Sequence, residues 1–163
     1  MNILFVCTGN TCRSPMAQAI ALKLIKEEPE KYSFIKVASA GLAAYDGDGP
    51  SFYAKEACEM NGSSLEDFRS QRVSSDLLEA ADLVLVMTEE HKYQLLLKAP
   101  QYADKIFTLG EFAGEDIDVG DPYGSNLEMY LQSYDLIEEQ VKKVFMQLYE
   151  EYGGEEDENS DRQ

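Results

Sequence analysis

The stretch Asn2-Ile-Leu-Phe-Val-Cys7-Thr-Gly-Asn-Thr-Cys12-Arg-Ser-Pro15 joins an apolar run to a small polar turn and then to a helical pattern. Residues 2–6 are typical of a strand buried on both faces. Ser14 and Pro15 are typical of an N-cap followed by proline at the first helical position, and apolar residues then recur at helical spacing. The stretch therefore predicts a strand, a loop and a helix, which is how a parallel α/β sheet begins.

The rest of the chain continues this alternation of strands and helices. Further strands are predicted at residues 34–38, 82–87 and 105–107, and helices at residues 51–60, 75–80 and 89–98. The pattern favours a single-domain α/β fold, with a parallel, flavodoxin-like sheet of about four strands and helices on both faces. Ligands of such sheets bind beyond the carboxyl ends of the strands.

The C-terminal part predicts one long amphipathic helix from Leu127 onward, because apolar residues recur every three or four positions. Gly153 and Gly154 predict its end. Residues 155–163 are acidic and polar without apolar anchors, which is typical of disorder. We therefore expect one domain over residues 1–152 and an acidic disordered tail over residues 153–163.

Length and charge exclude several classes of function. The chain has 163 residues and a net charge of −17, so it suits one domain and disfavours nucleic-acid and anionic-lipid partners. No apolar run approaches the roughly 20 residues of a membrane helix, and the first residues do not form a signal peptide. An odd count of three cysteines favours reactive or core thiols over structural disulfides. We expect a cytoplasmic protein that binds neither nucleic acid nor a membrane.

The loop between the first strand and the first helix places Cys7 and Arg13 at its two ends. Backbone N–H groups converge in such a turn and the helix N-terminus adds positive charge, which makes a nest for an anion such as phosphate. Arg13 can hold two phosphate oxygens, and the same positive field stabilises the thiolate of Cys7 as a nucleophile. For an isolated Cys-X5-Arg spacing, a core thiol and a surface arginine are equally good interpretations; the position between strand and helix favours the nucleophile.

The residues inside the loop are expected to shape this phosphate site. Gly9 is expected to supply a backbone conformation closed to other residues, and Asn10 and Ser14 to hydrogen-bond the loop and the sulfur. The predicted phosphate-binding residues within the loop are Thr8, Gly9, Asn10, Thr11, Cys12 and Ser14.

A proton donor is the second requirement, and the candidate is Asp121 in the turn Gly120-Asp-Pro-Tyr-Gly124. An aspartate beside the phosphoryl group can protonate the leaving atom and later accept a proton from water. A plain Asp-Pro turn is an equally good interpretation of these residues alone.

Residues 6–15, Ser39-Ala-Gly41 and Asp121-Pro-Tyr123 resemble the low-molecular-weight protein tyrosine phosphatase family, and the similarity extends over residues 1–152. The resemblance implies a phosphatase acting on phosphorylated protein side chains. In it Cys7 forms a phosphoenzyme, Arg13 and the loop amides hold the transferring oxygens, and Asp121 is the general acid and base. It implies no metal and no other cofactor.

A closer resemblance is to the bacterial protein arginine phosphatases of that family, through residues 7–17 and Thr108-Leu-Gly-Glu-Phe112. Thr11 stands where tyrosine-directed members usually carry a bulkier apolar residue. Gly124 stands where such members often carry an aromatic residue that encloses the phenyl ring of the substrate. Tyr123, a predicted substrate-binding residue, departs from the phenylalanine common in arginine-directed members. Residues 62–72 also lack a histidine that many relatives have, so its hydrogen bonds must be replaced.

Several alternatives stay open. A phosphotyrosine phosphatase is the second hypothesis, an arsenate reductase the third, and a non-catalytic phosphate-binding module a different class altogether. A Cys7–Cys12 disulfide that protects the nucleophile is a further hypothesis. Cys58 is predicted to be a core residue, His91 a solvated helix residue without a role, and Tyr45 and Tyr123 are candidates to flank the entrance.

Overall fold

A computed structural model of the chain describes residues 1–160, and the side chains of residues 1–154. Its strands form one parallel sheet in the order β2-β1-β3-β4. The strands are β1 (Asn2–Cys7), β2 (Lys36–Gly41), β3 (Leu83–Val86) and β4 (Ile106–Thr108). The predicted single-domain, four-stranded parallel α/β fold is confirmed.

Helices connect the strands and cover both faces of the sheet. They are α1 (Arg13–Glu27), α2 (Pro29–Tyr32), α3 (Phe52–Met60), α4 (Ser75–Ala80), α5 (Glu89–Lys98), α6 (Leu109–Ala113) and α7 (Leu127–Ser160), with a 3-10 helix over Pro100–Lys105. Within the described part of the chain, no helix is both long and apolar enough to cross a membrane.

The side chains of β1 alternate between two cores. Ile3 and Phe5 pack with α1, α3, α6 and α7, whereas Leu4 and Val6 pack with α4 and α5. Successive side chains of a strand point to opposite faces, so a continuous apolar strand needs helices on both sides. Burial of each large apolar side chain contributes about 1.5–3 kcal/mol, which fixes the central strand firmly between its neighbours.

Two predicted elements differ from the structure by more than one residue at a bound. β2 lies over 36–41 rather than 34–38, because its ladder begins where Lys36 N donates to Met1 O at 2.7 Å beside the start of β1. Helix α7 continues through Gly153 and Gly154 instead of ending there. A helical glycine costs about 1 kcal/mol relative to alanine but removes no backbone donor or acceptor, so it weakens a helix without ending it. Residues 161–163 lie outside the described residues, and the division into residues 1–152 and 153–163 stays a prediction.

The register of the sheet brings three connecting segments to one edge. Cys7 at the end of β1 is level with Gly41 at the end of β2, and Val6 is level with Val86 at the end of β3. The segments that follow these strands therefore meet around the loop after Cys7, as expected for the ligand-binding edge of a parallel sheet.

Candidate active site

A pocket opens at this edge, over the loop that joins β1 to α1. Eight of the ten predicted site residues line it together: Cys7, Thr8, Gly9, Thr11, Cys12, Arg13, Asp121 and Tyr123. The other two, Asn10 and Ser14, are completely buried and do not line the pocket. Tyr123 stands at the pocket as expected, whereas Tyr45 is exposed and is not among the lining residues.

The loop carbonyls bond to the surrounding scaffold. The carbonyl of Thr8 accepts from Ala43 N at 2.9 Å and that of Thr11 accepts from Ser51 N at 2.9 Å. The carbonyl of Asn10 accepts from the Ser70 hydroxyl at 2.6 Å. A trans peptide points its N–H opposite to its carbonyl, and all described peptides here are trans. The N–H groups that follow these carbonyls therefore point away from these scaffold partners, an arrangement typical of an anion nest.

Asn10 sets the turn of the loop. Its φ of 54° is in the left-handed region, which asparagine tolerates better than most residues. Its side-chain Oδ1 accepts from Gln71 N at 2.9 Å, and its Nδ2 donates to Ser39 Oγ at 3.0 Å. The expectation that Gly9 supplies the special conformation was wrong, since Asn10 adopts it and is held there by these bonds.

Ser14 bonds to the nucleophile and does not cap the helix. Helix α1 begins at Arg13 with Cys12 as the N-cap residue, so the predicted capping role of Ser14 was wrong. Ser14 Oγ accepts from Asn10 Nδ2 at 2.8 Å and lies 2.9 Å from Cys7 Sγ. When Cys7 is a thiolate its sulfur can only accept, so the Ser14 hydroxyl then donates to the sulfur and stabilises its charge.

Residues from the segment before α4 bond to the phosphate loop. Ser70 and Gln71 both bond to Asn10, through the two contacts given above, and Gln71 Nε2 also donates to Ser39 O at 3.0 Å. These bonds tie the loop to the end of β2. The segment that lacks a histidine thus holds the loop and the end of β2 through a hydroxyl, an amide side chain and a backbone N–H.

Arg13 and Asp121 approach each other across the pocket. The guanidinium is buried and donates from Nη1 to Val119 O at 3.0 Å, and its Nη2 lies 3.7 Å from Asp121 Oδ2. Val119 N in turn donates to Met87 O at 2.9 Å, just beyond β3. The Asp121 side chain is 53% exposed, so its carboxylate stands at the pocket mouth rather than in its floor.

His91 is a site residue that the sequence analysis missed. Its ring is buried and Nε2 lies 2.8 Å from Thr8 Oγ1, so the expectation of a solvated helix residue was wrong. Burial, and after it the positive charge of Arg13, lowers the pKa of His91 to about 4. The reason is topological: α5 follows β3, and the end of β3 lies beside the loop after Cys7. A signal was present in the sequence, since His91 comes shortly after a predicted strand of the sheet.

The other two cysteines differ in their surroundings. Cys58 is buried in α3 and burial raises the pKa of its thiol to about 11, which confirms it as a core residue. Cys12 Sγ bonds to Ser51 Oγ at 3.2 Å and to Tyr130 Oη at 3.4 Å. Cys7 and Cys12 are free thiols here, and their disulfide stays a prediction.

Comparison with known proteins assigns the fold and the loop to a family. The sequence model described as low molecular weight phosphotyrosine protein phosphatase matches residues 2–153. The chain belongs to this family. The prediction that this chain is a protein phosphatase is therefore confirmed.

Relatives of this phosphatase include both arginine and tyrosine phosphatases. A protein-arginine-phosphatase of Bacillus subtilis (strain 168) is 39% identical over 149 residues, covering 91% of this chain and 97% of the relative. The structure of a low molecular weight protein tyrosine phosphatase from T. tengcongensis has a TM-score of 0.85 and 40% identity, covering 91% of this chain and 99% of that one. A YwlE arginine phosphatase mutant, whose active-site cysteine is replaced by a phosphorylated serine, has a TM-score of 0.85 and 38% identity, covering 91% and 95%.

Among the described residues, no group of three or more His, Cys, Asp and Glu side chains is placed to hold a metal ion.

Proposed function

We propose that this phosphatase hydrolyses phosphoarginine in proteins through a phosphoenzyme formed on Cys7. The observation that carries the proposal is the convergence of Cys7, Arg13 and Asp121 on one pocket over the loop that joins β1 to α1. A nucleophile, a cation and an acid around an anion nest are the parts that phosphoryl transfer to sulfur requires.

In the first step the Cys7 thiolate attacks phosphorus and the bond from phosphorus to the guanidino nitrogen breaks. The electron pair of that bond passes to the nitrogen, which takes a proton from Asp121. Arg13 and the loop N–H groups hold the oxygens of the transferring group while charge is redistributed. The product is a cysteinyl phosphate and a free arginine side chain.

In the second step a water molecule attacks the phosphorus of the cysteinyl phosphate. Asp121, now ionised, accepts a proton from that water, and the sulfur–phosphorus bond breaks with its electron pair returning to Cys7. Inorganic phosphate leaves and the thiolate is restored. Ser14, which bonds the sulfur at 2.9 Å, stabilises the leaving thiolate in this step. The phosphorylated serine of the YwlE mutant supports the position of the intermediate.

Thr11 is the basis for preferring phosphoarginine over phosphotyrosine. It lines the pocket with a small side chain and a hydroxyl, where a branched, charged guanidinium needs room and polar contacts. After giving up its proton in the first step, Asp121 is a carboxylate that can pair with the departing guanidinium. The similarity to a protein-arginine-phosphatase over 91% of the chain supports the same substrate.

Phosphotyrosine is the second candidate substrate, and Tyr123 is the observation that favours it. Its side chain is 76% exposed at the pocket, where an aromatic ring can pack against the phenyl group of a phosphotyrosine.

An arsenate reductase is disfavoured because Cys58, the one thiol outside the loop, is fully buried and poorly placed as an electron relay. We place the enzyme in the cytoplasm, with phosphorylated proteins as substrates, because a reactive thiolate persists in a reducing compartment. Nucleic acids and membranes are not part of the proposal, since the net charge of −17 opposes both.

The test is hydrolysis of matched phosphoarginine and phosphotyrosine peptides by wild type, Thr11→Ile and Cys7→Ser, measured as kcat/KM at one pH. We expect wild type to prefer phosphoarginine, Thr11→Ile to shift the preference toward phosphotyrosine, and Cys7→Ser to be inactive. A wild-type preference for phosphotyrosine would support the second candidate. Failure to hydrolyse either peptide would favour a phosphate-binding module.

A further inference from the structure

The His91 imidazole has no part in the mechanism above, yet it is held against the phosphate loop. It is 5% exposed, and its Nε2 is 2.8 Å from Thr8 Oγ1. Its other nitrogen, Nδ1, is buried without a hydrogen-bond partner among the described residues. A buried polar ring with one bonded and one unbonded nitrogen needs an explanation, because unpaired buried polar groups are costly.

The ring is neutral at neutral pH. Burial and the positive charge of Arg13 lower the pKa of His91 to about 4, against the weaker opposing effects of Asp121, Asp118 and Glu90. A neutral imidazole has one protonated and one bare nitrogen, so the proton is on either Nε2 or Nδ1.

The hydrogen-bonding capacity of Thr8 distinguishes these two forms. Its hydroxyl has one hydrogen, and the oxygens of an ionised phosphoryl group can only accept. If Nε2 is the bare nitrogen, the Thr8 hydrogen is used to bond it and Nδ1 becomes a buried N–H without an acceptor. If Nε2 carries the proton, it donates to Thr8 Oγ1, and the Thr8 hydrogen is free to point into the pocket that this residue lines.

We propose that His91 is a positioning residue of the phosphoryl site: its Nε2–H donates to Thr8 Oγ1 and turns the Thr8 hydroxyl hydrogen toward a phosphoryl oxygen. Thr8 then joins Arg13 and the loop N–H groups as a donor to the transferring group. The inference rests on the proposed function, because it requires a phosphoryl group in this pocket.

The tautomer can be measured directly. The chain contains one histidine, so a long-range ¹H–¹⁵N spectrum of the full protein reports His91 without ambiguity. We expect Nε2 protonated and Nδ1 bare at neutral pH. A proton on Nδ1, or a doubly protonated ring, would overturn the proposal. This measurement needs no substrate, so it stands apart from the outcome of the activity assays.

Kinetics test the role of the pair. Thr8→Val removes the hydroxyl at nearly constant shape, and His91→Leu removes the donor. Each is expected to lower kcat/KM for the phosphoarginine peptide by roughly tenfold to a hundredfold, the range expected for one hydrogen bond to a charged group. His91→Gln, which can present an N–H to Thr8, is expected to recover part of the loss, and Leu97→Ala, an exposed position on the same helix, is the matched control.

The double variant separates positioning from general damage. Since both changes remove the same contact, Thr8→Val with His91→Leu is expected to be no worse than the poorer single variant. Additive losses, or wild-type kinetics in Thr8→Val or in His91→Leu, would overturn the proposal. If wild type itself hydrolyses no phosphorylated substrate, the proposed function fails instead, and the two failures are thereby distinguished.

Discussion

The sulfur of Cys7 lies 2.9 Å from the hydroxyl oxygen of Ser14. The amide of Asn10 donates to the same oxygen at 2.8 Å. A thiolate sulfur can only accept, so the Ser14 hydroxyl donates to Cys7 when Cys7 is ionised. Asn10, four residues before Ser14 in the chain, thus holds in place the hydroxyl that stabilises the Cys7 thiolate.

Replacing Ser14 by alanine should slow the chemistry of Cys7. A hydrogen bond to a charged group is worth about 1.5–3 kcal/mol, so we expect Ser14→Ala to lower kcat/KM by roughly tenfold to a hundredfold. Alkylation of Cys7 by iodoacetamide at fixed pH should slow as well, because the thiolate is less stabilised. Ser33→Ala, at the exposed end of α2, is the control. Unchanged alkylation in Ser14→Ala would contradict this role.

Gly41 should not accept a larger residue. A Cβ at this position would lie 2.6 Å from Thr8 O and 2.9 Å from Asn10 N, both backbone atoms of the phosphate loop. We expect Gly41→Ala to cost about 1–3 kcal/mol of stability by overpacking and to reduce activity by displacing the loop. Urea unfolding and kcat/KM measure the two effects.

Gly49→Ala is the matched control for Gly41, since nothing lies within 4 Å of a Cβ built at Gly49. It should be close to wild type in both measurements. Equal behaviour of the two alanine variants would show that the loop has more room than its contacts indicate.

Asp121→Asn should remove the acid while keeping the turn. Tyr123 N donates to Asp121 Oδ1 at 3.0 Å, and an asparagine oxygen can accept the same bond. We expect kcat to fall by about 10²–10⁴ on phosphopeptides, the usual range for loss of a general acid. The fall should be smaller on p-nitrophenyl phosphate, whose leaving group needs less protonation.

Asp116→Asn controls for the loss of one negative charge in the same loop. Asp116 has a φ of 52°, which asparagine also adopts, so its backbone should not change. We expect it to retain activity on both substrates. An Asp121→Asn variant that loses the same factor on both leaving groups would argue against an acid at this position.

The buried histidine should make stability depend on pH. Its folded pKa of about 4 lies below the ordinary value of 6.5, so the unfolded chain binds the proton more readily. The contribution of neutral His91 to the free energy of unfolding is therefore fully present above about pH 6.5. It is lost as the pH falls through about 4. We expect the advantage of wild type over His91→Gln in urea unfolding to shrink by roughly 2–3 kcal/mol between about pH 7 and about pH 4.5. A difference independent of pH would contradict a neutral, buried His91.

The local sequence was sufficient to predict where Cys7 and Arg13 lie. Cys7 and Arg13 are contributed by one short loop whose ends are fixed by β1 and α1, so their positions follow from a strand and a helix adjacent in the chain. The parallel sheet followed from the apolar strands and the helices between them, since short connections leave few topologies.

The sequence pattern could not predict contacts between residues far apart in the chain. His91 follows two glutamates and precedes a lysine, which suggests a solvated surface, yet it reaches a residue 83 positions earlier because β3 lies beside β1. Ser14 was misinterpreted for a related reason. Its position before a proline favours a cap, whereas the tertiary demand of Cys7 and Asn10 determines where its hydroxyl points.

The two backbone bonds of Val119 bear on which positions around the site can change between related enzymes. Its backbone is fastened to Met87 on one side and to the Arg13 guanidinium on the other, just ahead of the acid. Tyr123 and Gly124, directly after the Asp-Pro pair, are exposed and free of close packing at Gly124. The predicted substrate contact at Tyr123 can thus change without disturbing these bonds, whereas Thr11, the other proposed specificity position, lies inside the phosphate loop. A lineage with this arrangement can acquire new substrates by exchanging a few surface positions while it inherits an undisturbed reaction centre.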